Sequence, residues 1–278
     1  ARAQLADPEF CNKAKAGKLN SIKYCIGCDQ GCYDYFCRCL EDPSLEHITC
    51  LRNPAVLEEE TMALRPAPQA KKVLIAGGGI AGIEAADALY KRGHHPILCE
   101  AGDTLGGQFV LAGAAPRKGD FQRAAYMAAE NIRDLGVEIR TNTPVTPALI
   151  AAEKPDAVII AVGAHPVKPP IKGIDRAMNA LEAYHGMDRI GKRVVLAGGG
   201  LVGCEVGLHL AGHGHDVTVV EMQGMMAFET FGYYRNALLD EMDKRGLKQM
   251  LHTKVLEFTA EGVVVERDGR AELVPADT

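Results

Sequence analysis

With 278 residues, 47% hydrophobic and 24% charged, the chain suits about two globular α/β domains at about 100–200 residues each, and its 30 scattered glycines exclude a collagen-like fibre. Thirty-one Lys and Arg face 36 Asp and Glu, a net charge of −5 without any dense basic run, so nucleic acid is not an expected partner. The longest apolar stretches, such as Ala157 to Val162, fall far short of the ~18–20 residues of a membrane span, and residues 1–20 lack the order of a secretory signal; a cytoplasmic protein is expected.

The head of the chain is set apart by its cysteines. Seven of nine (Cys11, Cys25, Cys28, Cys32, Cys37, Cys39 and Cys50) lie in the first fifty residues, and only Cys99 and Cys204 lie beyond. A secreted disulfide scaffold would spread them through a small domain, so this crowding favours a ligated metal or cluster. Soft thiolates select iron–sulfur clusters or zinc over hard cations. The spacing of Cys25, Cys28 and Cys32 admits either, with Cys37 or Cys39 as spare ligands for zinc.

After residue 70 the sequence repeats itself. Lys71 opens Lys-Lys-Val-Leu-Ile-Ala-Gly-Gly-Gly-Ile-Ala-Gly, and Lys192 opens Lys-Arg-Val-Val-Leu-Ala-Gly-Gly-Gly-Leu-Val-Gly. In each, a short strand pattern (Val73–Ala76; Val194–Ala197) enters a glycine turn and then a helical pattern (Ile83–Lys91; Glu205–His213). A second strand follows (Pro96–Cys99; Val217–Val220) and ends in a glutamate at the same offset, 100 − 77 = 23 and 221 − 198 = 23. The first glycine of each unit (Gly77, Gly198) suits a tight turn, the second (Gly79, Gly200) lets backbone approach a pyrophosphate, and the third (Gly82, Gly203) lets helix and strand pack closely. The anion would sit on the helix N-terminus, and Glu100 or Glu221 would accept from a ribose; Glu221 repels a 2′-phosphate, favouring NADH over NADPH.

Ala157 to Val162, closed by Gly163, reads as a buried strand that completes the first unit. Since 156 − 77 = 79 and 277 − 198 = 79, the sequence stops where the second unit's last strand is expected to begin, as in a truncated product. Expected domains are therefore 1–70, 71–170 and 171–278. His209 and His213 lie four apart on a helix but suit its cation-favouring end, and Cys99 and Cys204 read as small hydrophobes. Met222, Met225, Met226 and Phe228 either line the nicotinamide side or pack.

Two such units, with the second entered after Ala161–Pro166, resemble the two-dinucleotide-binding-domain flavoproteins, with tandem Rossmann-like domains, FAD on the first and NAD(P)H on the second. The stretch from Glu100 to Gly107 and Gln108 resembles that family's acid-to-Gly-Gly segment, and the resemblance extends the FAD contacts to Val145, Ala161 and Gly163. No redox cysteine pair follows Gly107 or lies in the second unit, so disulfide reduction is not expected.

The head sharpens the match. Residues 1–14, the Cys25-to-Cys32 run and Cys50-Leu51-Arg52-Asn53-Pro54 resemble the junction in 2,4-dienoyl-CoA reductase, 2-enoate reductase and trimethylamine dehydrogenase, where an FMN-bearing barrel precedes a [4Fe–4S] segment and the flavoprotein module. The resemblance implies ligation by Cys25, Cys28, Cys32 and Cys50. One departure is the 50 − 32 − 1 = 17 residues before Cys50, longer than the family's usual interval; Cys50 is still chosen because Asn-Pro follows it closely. The expectation is an electron-input module, NADH to FAD to [4Fe–4S] to FMN in a barrel domain that reduces an enoate or enoyl-CoA. By itself the module is expected to be inactive on the enoate. Amine dehydrogenase-type reverse flow and a zinc-containing nucleotide-sensing module are the alternatives, and the oligomeric state, a homo-oligomer included, is not determined.

Overall fold

In the computed structural model, which describes residues 1–42, 44, 47–230 and 232–278, the chain divides into unit 1 (residues 1–113 and 117–164) and unit 2 (residues 114–116 and 165–278). Unit 1 starts with α1 (Arg2–Ala6) and α2 (Phe10–Lys15), two short helices where the resemblance implied the end of one barrel helix. Pro8, lacking an N–H, cannot continue α1. The buried carboxylate of Asp7 holds the break by accepting from Glu9 N, Lys23 N and Lys13 Nζ. Helix α3 (Tyr33–Glu41) follows directly on Cys32.

The first repeat becomes β1 (Lys72–Ala76), α4 (Ile80–Lys91) and β2 (His95–Cys99). Then come α5 (Gln108–Ala112), α6 (Gly119–Asp134), β3 (Glu138–Arg140), α7 (Pro147–Glu153) and β4 (Ala157–Ile160). The four strands form one parallel sheet in the order β3-β2-β1-β4. Its centre is apolar on both faces: Ile75 and Leu98 pack with Ile83 and Ala86 of α4, while Leu74, Ile97 and Cys99 face Val145, Leu149 and Ile150. Each fully buried aliphatic side chain here stabilises by about 1.5–3 kcal/mol.

The expectation of a buried strand over Ala157–Val162 needs correction. The strand ends at Ile160, and Ile160 and Val162 are 78% and 67% exposed. Among the described residues β4 is an edge strand beside β1, and period-two alternation turns Ile159 and Ala161 to the core and Val158, Ile160 and Val162 outward.

Unit 2 runs through α8 (Ala180–His185), β5 (Arg193–Ala197), α9 (Leu201–Gly212), β6 (Asp216–Val220), α10 (Gly232–Lys244) and β7 (Lys248–Met250). Asn179 and Glu182 form a reciprocal capping box that starts α8. Strands β5, β6 and β7 are parallel neighbours, and β8 (Thr253–Phe258), β9 (Gly262–Arg267) and β10 (Arg270–Pro275) form a separate antiparallel sheet. The core includes Cys204, Leu210, Val219, Met226 and Met242. Asp277 N donates to Arg193 O and Asp277 Oδ2 accepts from Arg193 N, each at 2.8 Å. Asp156 and Lys72 exchange the same two bonds at 2.9 and 2.8 Å, so the 79-residue spacing is a real structural equivalence. Among the described residues no helix is long and apolar enough to cross a membrane.

Unit 1 carries one well-connected surface carboxylate. Glu153 of α7 accepts from Arg140 Nη1 of β3 at 2.6 Å and from Lys72 Nζ of β1 at 2.8 Å, which holds its pKa down to about 2. A carboxyl depressed on folding adds stability above its ordinary value of 4.5 and loses it as pH falls toward about 2. Glu153→Gln should therefore lower the urea midpoint at pH 7, with the gap to wild type closing between pH 4.5 and 2. Equal midpoints at pH 7 would show that these bonds contribute nothing.

Candidate functional site

The glycine turns come first, because they decide what can approach the helix ends. Gly77 has φ 106° and Gly198 φ 108°, a conformation that L side chains rarely adopt. Gly79 and Gly200 cap their helices with nearly the same backbone, φ −70°, ψ −179° and φ −64°, ψ 179°. A methyl group on Gly82 would lie 1.9 Å from Gly77 O, and one on Gly203 would lie 2.0 Å from Gly198 O. Only hydrogen lets each helix pack this close to the turn that launches it.

A carboxylate ties each turn to the next strand. Glu100 Oε2 accepts from Gly78 N at 2.6 Å and Oε1 from Gly102 N at 2.7 Å. Glu221 Oε2 accepts from Gly199 N at 2.7 Å and Oε1 from Gln223 N at 2.8 Å, with the residue only 6% exposed. Each carboxylate keeps acceptor capacity for further donors, such as ribose hydroxyls.

In unit 1 the Gly-Gly segment lies against the first turn. Gly106 N donates to Gly78 O at 2.8 Å, and a methyl group on Gly107 would lie 3.1 Å from Gly79 Cα. Ala161 N donates to Ala76 O, and Gly77 has room for no side chain because Ala161 O stands 2.3 Å from where its Cβ would be. Gln108 Nε2 donates to Ala164 O at 2.6 Å, Gly163 turns the chain at φ 75°, and Val145 packs into the apolar cluster behind β1 and β2. Space beside Gly79 is open, so a backbone cradle at a helix N-terminus fits a dinucleotide's pyrophosphate.

Unit 2 holds a cavity of about 1020 Å³ lined by Gly198, Gly200, Glu221, Met222, Phe228 and Glu229 among others. That volume suits a cofactor-sized ligand. The apolar residues after β6 divide: Met226 is buried in the core, whereas Met222 and Phe228 are exposed at the cavity. Glu229 was not singled out by the glycine and glutamate spacing.

Two hydrogen bonds join the segments that carry the head cysteines. Thr49 N donates to Gly31 O at 2.6 Å, closing the interval between Cys32 and Cys50. Arg52, only 6% exposed, donates its Nε to Tyr24 O at 3.2 Å, tying the chain just after Cys50 to that just before Cys25. Burial first, with the nearby charges of Cys32, Cys50 and Cys25, pushes the Cys28 thiol pKa up. Burial likewise raises Cys32, with Asp29, Cys50 and Cys25 adding to it. The charges of Cys25, Cys28, Cys32 and Cys50 are near enough to act on one another, and sulfur donors of this kind suit a cluster or zinc. Among the described residues no three His, Cys, Asp or Glu groups meet the spacing of a single bound ion.

Elsewhere, His209 stacks with Tyr184 and His213 at centroid distances of 4.9 and 4.5 Å, and His213 Nδ1 lies 2.8 Å from His209 O at the end of α9. Cys99 and Cys204 are buried, and burial raises the Cys204 thiol to about 11.

Residues 71–278 match the family model described as pyridine nucleotide-disulphide oxidoreductase. A metal reductase of Desulforamulus reducens is 33% identical over 314 residues, covering 100% of this chain and 46% of that protein. A cinnamate reductase of Clostridium sporogenes is 33% identical over 281 residues, covering 100% and 41%. A solved 2-naphthoyl-CoA reductase complex with 2-naphthoyl-CoA superimposes with a TM-score of 0.92 at 30% identity, covering 100% and 42%. The chain spans less than half the length of these relatives.

The steric role of the third glycines can be tested by denaturation. Gly82→Ala and Gly203→Ala should each lose about 1–3 kcal/mol or more through overpacking. Gly119→Ala, at a position with nothing within 4 Å of the added methyl, should lose none. Equal stability in all three variants would remove the close-packing argument.

Proposed function

The chain belongs to the pyridine nucleotide-disulphide oxidoreductase family over residues 71–278, and on that premise we propose that it is the electron-input part of a longer iron–sulfur flavoenzyme. In this reading two tandem dinucleotide-binding domains follow a cluster segment. FAD takes Gly77, Gly79, Gly82, Glu100, Gly107 and Gln108, with Val145, Ala161 and Gly163 nearby. NADH takes Gly198, Gly200, Gly203 and Glu221, and a [4Fe–4S] cluster takes Cys25, Cys28, Cys32 and Cys50. When bound, the nicotinamide would supply hydride chemistry, and the flavin and cluster would supply the change from two-electron to one-electron transfer toward an FMN in a barrel domain that reduces an enoate or enoyl-CoA C=C bond.

The observation that carries this reading is the carboxylate bond made twice, Glu100 to Gly78 N and Glu221 to Gly199 N, each beside a helix that starts at a bare glycine. The protein's part is to bind and orient: the turns present backbone N–H groups to phosphates, and the glutamates present oxygens to riboses. An amine dehydrogenase running electrons outward has no need of a nucleotide carboxylate, so Glu221, bonded as Glu100 is, favours the reductase direction. The names of the relatives, a cinnamate reductase and a 2-naphthoyl-CoA reductase, support an unsaturated acid or thioester as substrate class. Cys99 and Cys204, each buried, give no support to disulfide reduction.

Titration with NADH and NADPH tests the nucleotide assignment. Glu221→Gln removes the charge that repels a 2′-phosphate and should narrow the preference for NADH by about tenfold, the scale of one charge-assisted hydrogen bond. An unchanged preference would take Glu221 out of the role.

Iron and acid-labile sulfide analysis of anaerobically purified protein, with electron paramagnetic resonance after reduction, tests the cluster. Cys50→Ser should lose the signal while Cys37→Ser and Cys39→Ser keep it, because serine is a poor substitute for a soft thiolate. A colourless protein containing zinc would favour the nucleotide-sensing alternative.

A further inference from the structure

The two glycine turns differ in one feature that their shared backbone does not explain. At the start of α9 the Leu201 N–H donates to Glu229 Oε1, and a methyl group on Gly200 would lie 2.8 Å from the same oxygen. A side-chain carboxylate therefore rests where the glycine turn is bare for a phosphate. At the start of α4 the space beside Gly79 is open.

The repeat identifies the counterpart of Glu229. Gly198 and Gly77 are offset by 198 − 77 = 121, and 229 − 121 = 108, which is Gln108. The chain path supports this equivalence up to the preceding residues: Ala227 N donates to Gly199 O at 2.6 Å as Gly106 N donates to Gly78 O at 2.8 Å. Buried Met226 and Leu105 likewise abut Gly199 and Gly78. At this position unit 1 carries a neutral amide engaged with Ala164 O, and unit 2 carries an acid engaged with the helix N-terminus.

We propose that Glu229 competes with the nucleotide's pyrophosphate for the N-terminus of α9, and so sets how tightly unit 2 holds its nucleotide. The inference rests on the reading of unit 2 as the NADH domain. A helix N-terminus carries about half a positive charge and free N–H groups, and a carboxylate satisfies them as a phosphate does. Two anions cannot share that place without strong repulsion, so the carboxylate must swing away when the pyrophosphate enters. Its return favours departure of the spent nucleotide. Because Glu229 is exposed, it can turn outward without disturbing the core. In unit 1 Gln108 is engaged with Ala164 O and the space beside Gly79 is open, as befits a cofactor that stays.

Equilibrium titration of the full chain with NADH, ADP and adenosine, for wild type, Glu229→Gln and Glu229→Ala, tests the proposal. Both variants should bind NADH and ADP about tenfold more tightly, the scale of one charge-assisted bond, while adenosine, which has no phosphate, binds them as it binds wild type. NADH binding of equal or lower affinity in the variants overturns the competition and leaves the nucleotide assignment standing. Tightening of adenosine by the same factor as NADH also overturns it, because the effect would then not lie at the phosphate. No NADH binding to any of the three proteins overturns the assignment of unit 2 and the competition with it.

Discussion

A strand-ending carboxylate bonded to the middle N–H of a glycine turn 22 residues earlier is the interaction on which both halves of this protein depend. It joins the end of one strand to the exit of its neighbour, so strand, turn and helix cannot shift independently. The bond also places the glutamate oxygens beside the helix N-terminus, where a ribose and a pyrophosphate need complementary partners at once. The lack of side chains at Gly82 and Gly203 is part of the same arrangement, since any Cβ there would push the helix off the turn and carry its free N–H groups away.

Around this shared element the units spend their residues differently. Between the glutamate and the aspartate that bonds the first strand, Asp156 or Asp277, unit 1 places α5, α6, β3 and α7, whereas unit 2 places α10, β7 and a three-stranded antiparallel sheet. The offset between repeats slips to 248 − 138 = 110 at β3 and β7 and returns to 277 − 156 = 121 at the two aspartates. Equal length therefore hides unequal content. What recurs is the part proposed to meet a nucleotide, and what varies is the covering, where many packings bury the sheet equally well.

The head follows another logic. Its helices are short, and hydrogen bonds set its shape: the buried Asp7 carboxylate pins the α1–α2 break, Gly31 meets Thr49, and Arg52 reaches Tyr24. Such bonds join the segment around Cys50 to the segment from Cys25 to Cys32. The buried Arg52 guanidinium also lies near Cys50, where its charge favours the ionised thiol.

Much of this was legible in one dimension because glycine and glutamate report backbone facts directly. The positive φ at Gly77 and Gly198 and the equivalence of Asp156 and Asp277 follow from a repeat counted along the chain, whereas the helices begin at Ile80 and Leu201, earlier than the Ile83 and Glu205 of the apolar pattern, because the glycine caps launch them. The antiparallel sheet of residues 253–275 was not read from its apolar run Val263-Val264-Val265, which lacks clear alternation; yet its pairing is local, consecutive strands joined by short turns, and Asp268-Gly269 between β9 and β10 is the hairpin signal that could have found it. The edge position of β4 was hidden for a related reason: an apolar run signals a strand, but only the neighbouring strands decide whether one face or both are covered. The sequence by itself thus determined where the turns lie and which residues can form them. Tertiary structure alone decided that Glu229 lies on the N-terminus of α9, because its distance from that helix depends on how the loop after β6 folds back, and no local pattern encodes that path.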